Sequence, residues 1–150
     1  MTPEVRLRPV MPDDIEVFFR HEQETEAQRR ANFAARPHAE FVLHWTQRIV
    51  GDPEVGVRTV EVDGTVAGNV VSWWQDGERE VGYWLGSAFW GRGIGTRALR
   101  LYLEVETVRP LRATVDSGNL ASIALLRRCG FEEGERVQLE NGSYVVLRVR

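Results

Sequence analysis

The chain has 150 residues, of which 43% are hydrophobic and five are Trp, and its formal net charge is −3. This composition predicts one packed domain over residues 1–150 and argues against disorder. The slight acidic balance, without a basic run, gives no electrostatic basis for nucleic-acid binding. A single Cys excludes an internal disulfide framework and a cysteine-rich zinc site, and we expect no bound metal.

Targeting signals are not evident in the sequence. No apolar run is long enough for a membrane span, and the opening segment, MTPEVRLRPV, has no signal-peptide hydrophobic region. We therefore expect a soluble, cytoplasmic protein without a membrane partner.

The first third of the chain predicts a strand followed by helices. Apolar and charged residues alternate over Val5–Val10, which is typical of a half-buried strand. Pro12 and the two Asp residues after it are typical of a helix start. A polar stretch follows, and a second helix fits Ala39–Val50, ended by Gly51-Asp52-Pro53.

The middle of the chain is rich in β-branched and aromatic residues. Val57–Val62 and Thr65–Trp74 read as strands, and Asp63-Gly64 between them is a strong hairpin signal. Strand alternation requires either Trp73 or Trp74 to face away from the core, where it would line a pocket or a homodimer contact.

The segment Val81–Leu103, VGYWLGSAFWGRGIGTRALRLYL, predicts a strand, a glycine-rich loop and a helix that begins near Ile94. Gly91, Gly93 and Gly95 let the backbone approach a ligand closely. The first amides of the helix have no partner within the helix and carry partial positive charge. This arrangement predicts an anion site, most often one for phosphate.

The remaining segments predict a strand, a helix and a closing hairpin. Leu111–Val115 reads as a buried strand and Asn119–Arg128 as a short helix, while Val137–Leu139 and Tyr144–Val149 form the hairpin. Strands in antiparallel runs with interspersed helices predict an α+β fold.

Two segments, WGRGIGT and NLASIALLRRCGF, resemble the pyrophosphate loop and the following motif of the GNAT superfamily of acyl-coenzyme A-dependent N-acyltransferases. The resemblance covers roughly residues 5–150 and is nearest to the ribosomal-protein N-terminal acetyltransferase branch. It implies the GNAT fold, a mostly antiparallel mixed sheet of about six or seven strands with about four helices. It also implies transfer of an acetyl group from acetyl-CoA to a primary amine of a small molecule or peptide, in a ternary complex.

The resemblance assigns coenzyme-binding positions residue by residue. They are Trp84, Leu85, Trp90, Gly91, Arg92, Gly93, Ile94, Gly95, Thr96, Asn119 and Ser122. The family pattern opens with Arg or Gln where this chain has Trp90, so a side-chain phosphate contact is not expected there. Arg92 either pairs with a coenzyme phosphate or is a solvated surface residue, and Asn119 also suits a helix N-cap.

Three residues are candidates for the chemistry. The resemblance places an oxyanion-binding backbone amide at Leu85. Many members of the family have a general-acid Tyr at the position that is Leu126 in this chain. Ser122 is therefore the candidate hydrogen-bond donor to the departing sulfur. Glu80 is the first candidate for the general base. Other candidate bases are Glu78, Glu22, Glu24 and His44.

Two other functions remain open at the level of sequence. Gly93-x-Gly95-x-x-Ala98 with Asp116 downstream also satisfies the dinucleotide pattern of an NAD-binding oxidoreductase. A non-catalytic acyl-CoA-binding domain is the second alternative, since the expected Tyr is missing.

Overall fold

The computed structural model describes residues 2–150, which form seven strands and five α-helices. The strands are β1 Val5–Arg8, β2 Gly56–Val62, β3 Thr65–Gln75, β4 Glu78–Leu85, β5 Leu111–Asp116, β6 Glu132–Leu139 and β7 Gly142–Val149. The helices are α1 Pro12–Glu22, α2 Thr25–Ala31, α3 His38–Leu43, α4 Ile94–Val105 and α5 Leu120–Arg128. Helix α3 continues as a π-helical segment, His44–Val50, and a 3₁₀ turn spans Ser87–Phe89. Within residues 2–150, no helix is both long and apolar enough to cross a bilayer.

All seven strands belong to one sheet, in the order β1-β2-β3-β4-β5-β7-β6. Neighbouring strands are antiparallel except β4 and β5, which are parallel. This confirms the predicted mostly antiparallel mixed sheet and the α+β class. An NAD-binding unit would require a run of parallel strands, so the topology contradicts the oxidoreductase alternative.

The two central hairpins follow from their turn residues. Asp63 and Gly64 both have positive φ, 48° and 81°, as do Asp76 and Gly77 at 51° and 78°. Two successive residues of positive φ make the turn that matches strand twist, which confirms the hairpin predicted at Asp63-Gly64.

Helices cover both faces of the sheet. Helices α4 and α5 pack on one face, where Leu99 and Tyr102 are almost fully buried. Helices α1 and α3 pack on the other, where Phe18 lies 4.8 Å from Trp45 between ring centroids. Helix α2 does not join these core layers but lies beside the middle of the sheet, where it contributes to the site described below.

Three segments differ from the sequence-based expectation. Strand β6 begins at Glu132, five residues before the predicted Val137, because pairing with β7 stabilises a charged segment that has no apolar alternation. Strand β4 begins at Glu78 rather than Val81. The second half of the predicted helix Ala39–Val50 is π-helical, with the Thr46 hydroxyl donating to the Val42 carbonyl at 2.8 Å.

A buried polar network fastens the end of α4 to the sheet. The Glu106 carboxylate accepts from Arg79 Nε at 2.6 Å and from the Ser72 hydroxyl at 2.7 Å. Burial alone would raise the pKa of Glu106, but the hydrogen bonds from Ser72 and Arg79 outweigh it and hold this pKa below its ordinary value. Because the folded state favours the charged carboxylate, the network stabilises the protein above the unfolded pKa of about 4.3.

Replacing Glu106→Gln should therefore lower the free energy of unfolding by about 3 kcal/mol at neutral pH, since buried Arg79 would lose its charged partner. The difference from wild type should shrink as the pH falls through the lowered pKa of folded Glu106. Urea denaturation at neutral and acidic pH measures both effects. Glu104→Gln, on the exposed side of the same helix, is the matched control. An equal loss in the two variants would contradict the role of the network.

Candidate functional site

The sheet opens between its two parallel strands. Strands β4 and β5 pair only through Arg79 with Leu111 and Glu80 with Arg112, and then separate. Each strand keeps its other neighbour, since β4 stays paired to β3 as far as Leu85 and β5 to β7. The separation leaves a gap beside the glycine-rich loop, and two connected cavities meet there.

The first cavity, here named the loop cavity, has a volume of about 360 Å³ and lies against the start of α4. Its walls come from β4, the glycine loop, α4, α5 and one side of α2. The residues of the loop and the start of α4 that line it are Phe89, Trp90, Gly91, Gly93, Ile94, Gly95 and Thr96. Ala27, Arg30 and Ala31 of α2 also line it.

The loop backbone fits an anionic ligand. Gly91 and Gly93 have positive φ of 71° and 73°, and a Cβ at either position would meet no atom within 4 Å. The open space beside them is thus accessible to a ligand. Gly93 also precedes the first turn of α4, whose amides carry partial positive charge. The guanidinium of Arg128, which donates to the Thr96 hydroxyl at 3.2 Å, adds a cation to this wall.

The backbone of Leu85 is directed into the gap. Gly86 N–H donates to the Ala67 carbonyl of β3 at 2.9 Å. Along an antiparallel strand the direction of the backbone groups alternates, so those of Leu85 face away from β3. The Leu85 carbonyl indeed accepts from the Trp90 indole nitrogen at 3.1 Å, on the gap side. The Leu85 amide therefore has the direction that an oxyanion-binding donor requires.

The second cavity, here named the aromatic cavity, has a volume of about 800 Å³ and lies between α1, α3 and the opposite face of the sheet. Its aromatic walls are Phe18, Phe33, Phe41, Trp45, Trp73, Trp74, Tyr83, Trp84 and Tyr144. The charged or titratable residues on its walls are Glu22, Arg36, His44, Arg48, Asp52 and Asp116. Trp73 and Trp74, at the end of β3, both line this cavity, and Trp74 is 50% exposed.

Tyr83, Trp84, Asn119 and Ser122 line both cavities and so mark their junction. The Tyr83 and Ser122 hydroxyls are hydrogen-bonded to each other across the gap. Burial raises the pKa of Tyr83 to about 12, although the contact with Ser122 acts in the opposite direction. Tyr83 therefore keeps its proton at neutral pH and is available as a hydrogen-bond donor at the junction.

Most of the predicted coenzyme positions lie on one cavity. The loop cavity is lined by every predicted residue from Trp84 to Thr96 except Arg92, and also by Asn119 and Ser122. Asn119 caps α5, since its side chain accepts the Ser122 amide at 3.3 Å. Arg92 is exposed outside the cavity, with its guanidinium 5.9 Å from the ring centroid of Phe89.

The structure does not bring Glu80 to this site. Its carboxylate is 6% exposed and accepts from Arg112 Nε at 2.5 Å, at the last paired position of β4 and β5. Neither cavity is lined by it. A carboxylate that is held by a guanidinium and does not reach the cavities is poorly placed to remove a proton from an amine. The prediction of Glu80 as the first candidate base therefore does not fit the structure.

The other candidate bases differ in availability. Glu78 is paired with Arg148 at 2.8 Å, and Glu24 accepts from Ser87. Glu22 lies in the aromatic cavity but is bound to Arg36 at 2.8 Å. Burial lowers the pKa of His44, with Arg36 adding to the effect, so its imidazole is neutral at pH 7.

Three residues that line the cavities were not among the candidates predicted from the sequence: Tyr83, Arg30 and Asp116. Tyr83 was predicted only as part of a buried strand, and Arg30 lay in a polar stretch without a periodic pattern. The one available signal was strand alternation, which places Tyr83 and Leu85 on the same face of β4.

Comparison with known proteins identifies the family. Residues 4–132 match the model of the acetyltransferase (GNAT) domain. This chain belongs to the GNAT acetyltransferase family. None of the curated proteins matches it at a significant level.

Solved GNAT structures share the fold at low sequence identity. The aminoglycoside acetyltransferase AAC(6')-Ib in complex with coenzyme A is 20% identical, with a TM-score of 0.79 over 95% of this chain and 94% of that one. RimL, a ribosomal protein α-N-acetyltransferase in complex with coenzyme A, is 17% identical, with a TM-score of 0.76 over 97% and 93%. The microcin self-immunity acetyltransferase MccE, in complex with acetyl-CoA and AMP, is 19% identical, with a TM-score of 0.75 over 97% and 92%.

As a GNAT domain, the chain should bind coenzyme A through its glycine loop, and Gly93→Asn tests this directly. Asn tolerates positive φ better than most residues, so the fold should be retained while the added side chain fills the loop cavity. We expect the affinity for coenzyme A, measured by isothermal titration calorimetry, to fall by more than about tenfold, or about 1.4 kcal/mol.

The matched control for this variant is Gly77→Asn in the β3–β4 turn. Gly77 has φ of 78° and open space around it, but it lies outside the loop cavity. Unchanged coenzyme affinity in Gly93→Asn, with both variants folded, would contradict the assignment of the loop.

Proposed function

We propose that this protein transfers the acetyl group of acetyl-CoA directly to a primary amine, with both substrates bound at once. The observation that supports this most strongly is the meeting of the loop cavity and the aromatic cavity at one junction. The loop cavity offers backbone amides and glycines to the phosphates of the coenzyme. The aromatic cavity offers the acceptor amine an approach from the other face of the sheet.

The proposed reaction uses the groups around this junction. The amine nitrogen bonds to the thioester carbonyl carbon, and the Leu85 amide donates to the carbonyl oxygen as it becomes negative. The carbon–sulfur bond then breaks, and the sulfur leaves as a thiolate that accepts a hydrogen bond from Tyr83, whose hydroxyl also contacts Ser122. Since a free thiol has a pKa of about 8.5, the sulfur can leave without receiving a proton.

Asp116 is the carboxylate that we assign to proton removal from the amine. It lies at the end of β5 and lines the aromatic cavity, close in sequence to Asn119 at the junction. One of its oxygens accepts the Gly118 amide at 2.9 Å. Glu22, the alternative carboxylate, has both oxygens occupied by Arg36.

The lining of the aromatic cavity suits an acceptor amine with an aromatic or carboxylate-bearing body. Its charged walls carry two arginines, Arg36 and Arg48, and three carboxylates, so they do not by themselves select for or against a cationic acceptor. The aromatic side chains and Arg48 can contact an aromatic ring or a carboxylate of the acceptor.

A turnover assay tests the proposal. Acetyl-CoA is incubated with aromatic monoamines, amino-acid and peptide amines, and an aminoglycoside, while release of free coenzyme A thiol and the acetylated product are measured. We expect turnover with at least one of these amines, highest for an aromatic or carboxylate-bearing monoamine. Tight binding of acetyl-CoA without acetylation of any of these amines would favour a non-catalytic binding domain.

Two substitutions in the same assay test the proposed roles of Tyr83 as hydrogen-bond donor and Asp116 as base. Tyr83→Phe should lower kcat by about 10- to 100-fold without weakening coenzyme binding, because it removes one hydrogen bond to a charged group. Asp116→Asn should lower kcat/KM most at pH values below the pKa of the acceptor amine, where the base is needed. A rate unchanged by either substitution would remove that residue from the mechanism.

A further inference from the structure

Arg30 of α2 adds a guanidinium to the lining of the loop cavity, beside Trp90 at the start of the glycine loop. Arg30 belongs to α2, which is far from the loop in sequence, yet its guanidinium carbon lies 4.1 Å from the centroid of the Trp90 ring. Both side chains line the loop cavity. Trp90 occupies the position at which the family pattern has Arg or Gln. The side chain at that position is therefore apolar, but the Arg30 guanidinium lies directly beside it.

A hydrogen bond fixes the orientation of the Trp90 ring. Its indole nitrogen donates to the Leu85 carbonyl at 3.1 Å, which fixes the ring against the end of β4. A guanidinium stacked on an aromatic face keeps its N–H groups directed outward in its own plane, where they can bind an anion in a bidentate manner. The stacking thus pre-orients Arg30 without using its hydrogen-bond donors.

The neighbouring carboxylate does not neutralise Arg30 fully. Glu26 is bound closely by Arg29, at 2.7 Å, and lies 3.7 Å from Arg30 Nε. The Arg30 side chain is 43% exposed, so it keeps access to both solvent and the cavity.

We propose that Arg30, stacked on Trp90, binds the pyrophosphate of coenzyme A together with the amides at the start of α4. The pyrophosphate would then contact both the backbone donors of the glycine loop and a guanidinium from α2. This inference rests on the proposed function, because it specifies how the same coenzyme is held. It also explains how an apolar residue can occupy the position of the family's Arg or Gln.

The test compares Arg30→Met with wild type in isothermal titration calorimetry, using coenzyme A, dephospho-coenzyme A and pantetheine. Dephospho-coenzyme A keeps the pyrophosphate but lacks the 3′-phosphate, and pantetheine has no phosphate. We expect Arg30→Met to weaken binding of the first two ligands by the same factor, about tenfold, and to leave pantetheine unaffected. The dependence of coenzyme affinity on salt should also become weaker.

Two further variants complete the design. Arg20→Met is the control, since Arg20 is an exposed arginine of α1 that does not line the cavity, and its removal leaves the Arg29–Glu26 pair beside Arg30 intact. Trp90→Leu should weaken coenzyme A binding as well, and adding it to Arg30→Met should give less than the sum of the two effects.

Each contrary outcome is distinct. Equal loss for pantetheine and coenzyme A, or no loss for any ligand, would overturn the role of Arg30. Loss with coenzyme A alone would move the contact to the 3′-phosphate and likewise contradict the proposal. If wild type itself fails to bind coenzyme A, the proposed function fails rather than this inference alone.

Discussion

The structure depends on the incomplete pairing of β4 and β5. Two residue pairs hold these strands together, and the second carries the buried ion pair between Glu80 and Arg112. Beyond it the strands keep only their outer neighbours, so the middle of a continuous sheet contains a gap. Because the ion pair marks where pairing ends, Glu80 contributes to the position of the site although it does not line it.

The gap brings together groups of different origin. Backbone groups of β4, such as those of Leu85, face it, as do the hydroxyls of Tyr83 and Ser122. An extended ligand with amide groups can pair with such an edge as an additional strand would. The glycine loop lies at one end of the gap and the aromatic cavity opens at the other face. One irregularity of the sheet therefore positions both proposed substrates.

Features that depend on neighbouring residues could be predicted from the sequence, whereas those that depend on contacts between distant residues could not. The spacing of the glycines from Gly91 to Gly95 and the Asp63-Gly64 turn are local signals, and the loop and hairpin followed from them. The stacking of Arg30 on Trp90 joins residues far apart in the chain and has no local pattern. Glu80 was the first candidate base because it lies on the central strand, but sequence alone could not show that Arg112 would be its neighbour.

The most direct test of the account is the structure of the protein bound to coenzyme A. We expect the pyrophosphate against Gly91–Gly95 and the start of α4, the pantetheine arm between β4 and β5 beside Leu85, and the sulfur near Tyr83 and Ser122. A coenzyme bound elsewhere, or β4 and β5 paired along their whole length in the complex, would contradict the central role of the gap.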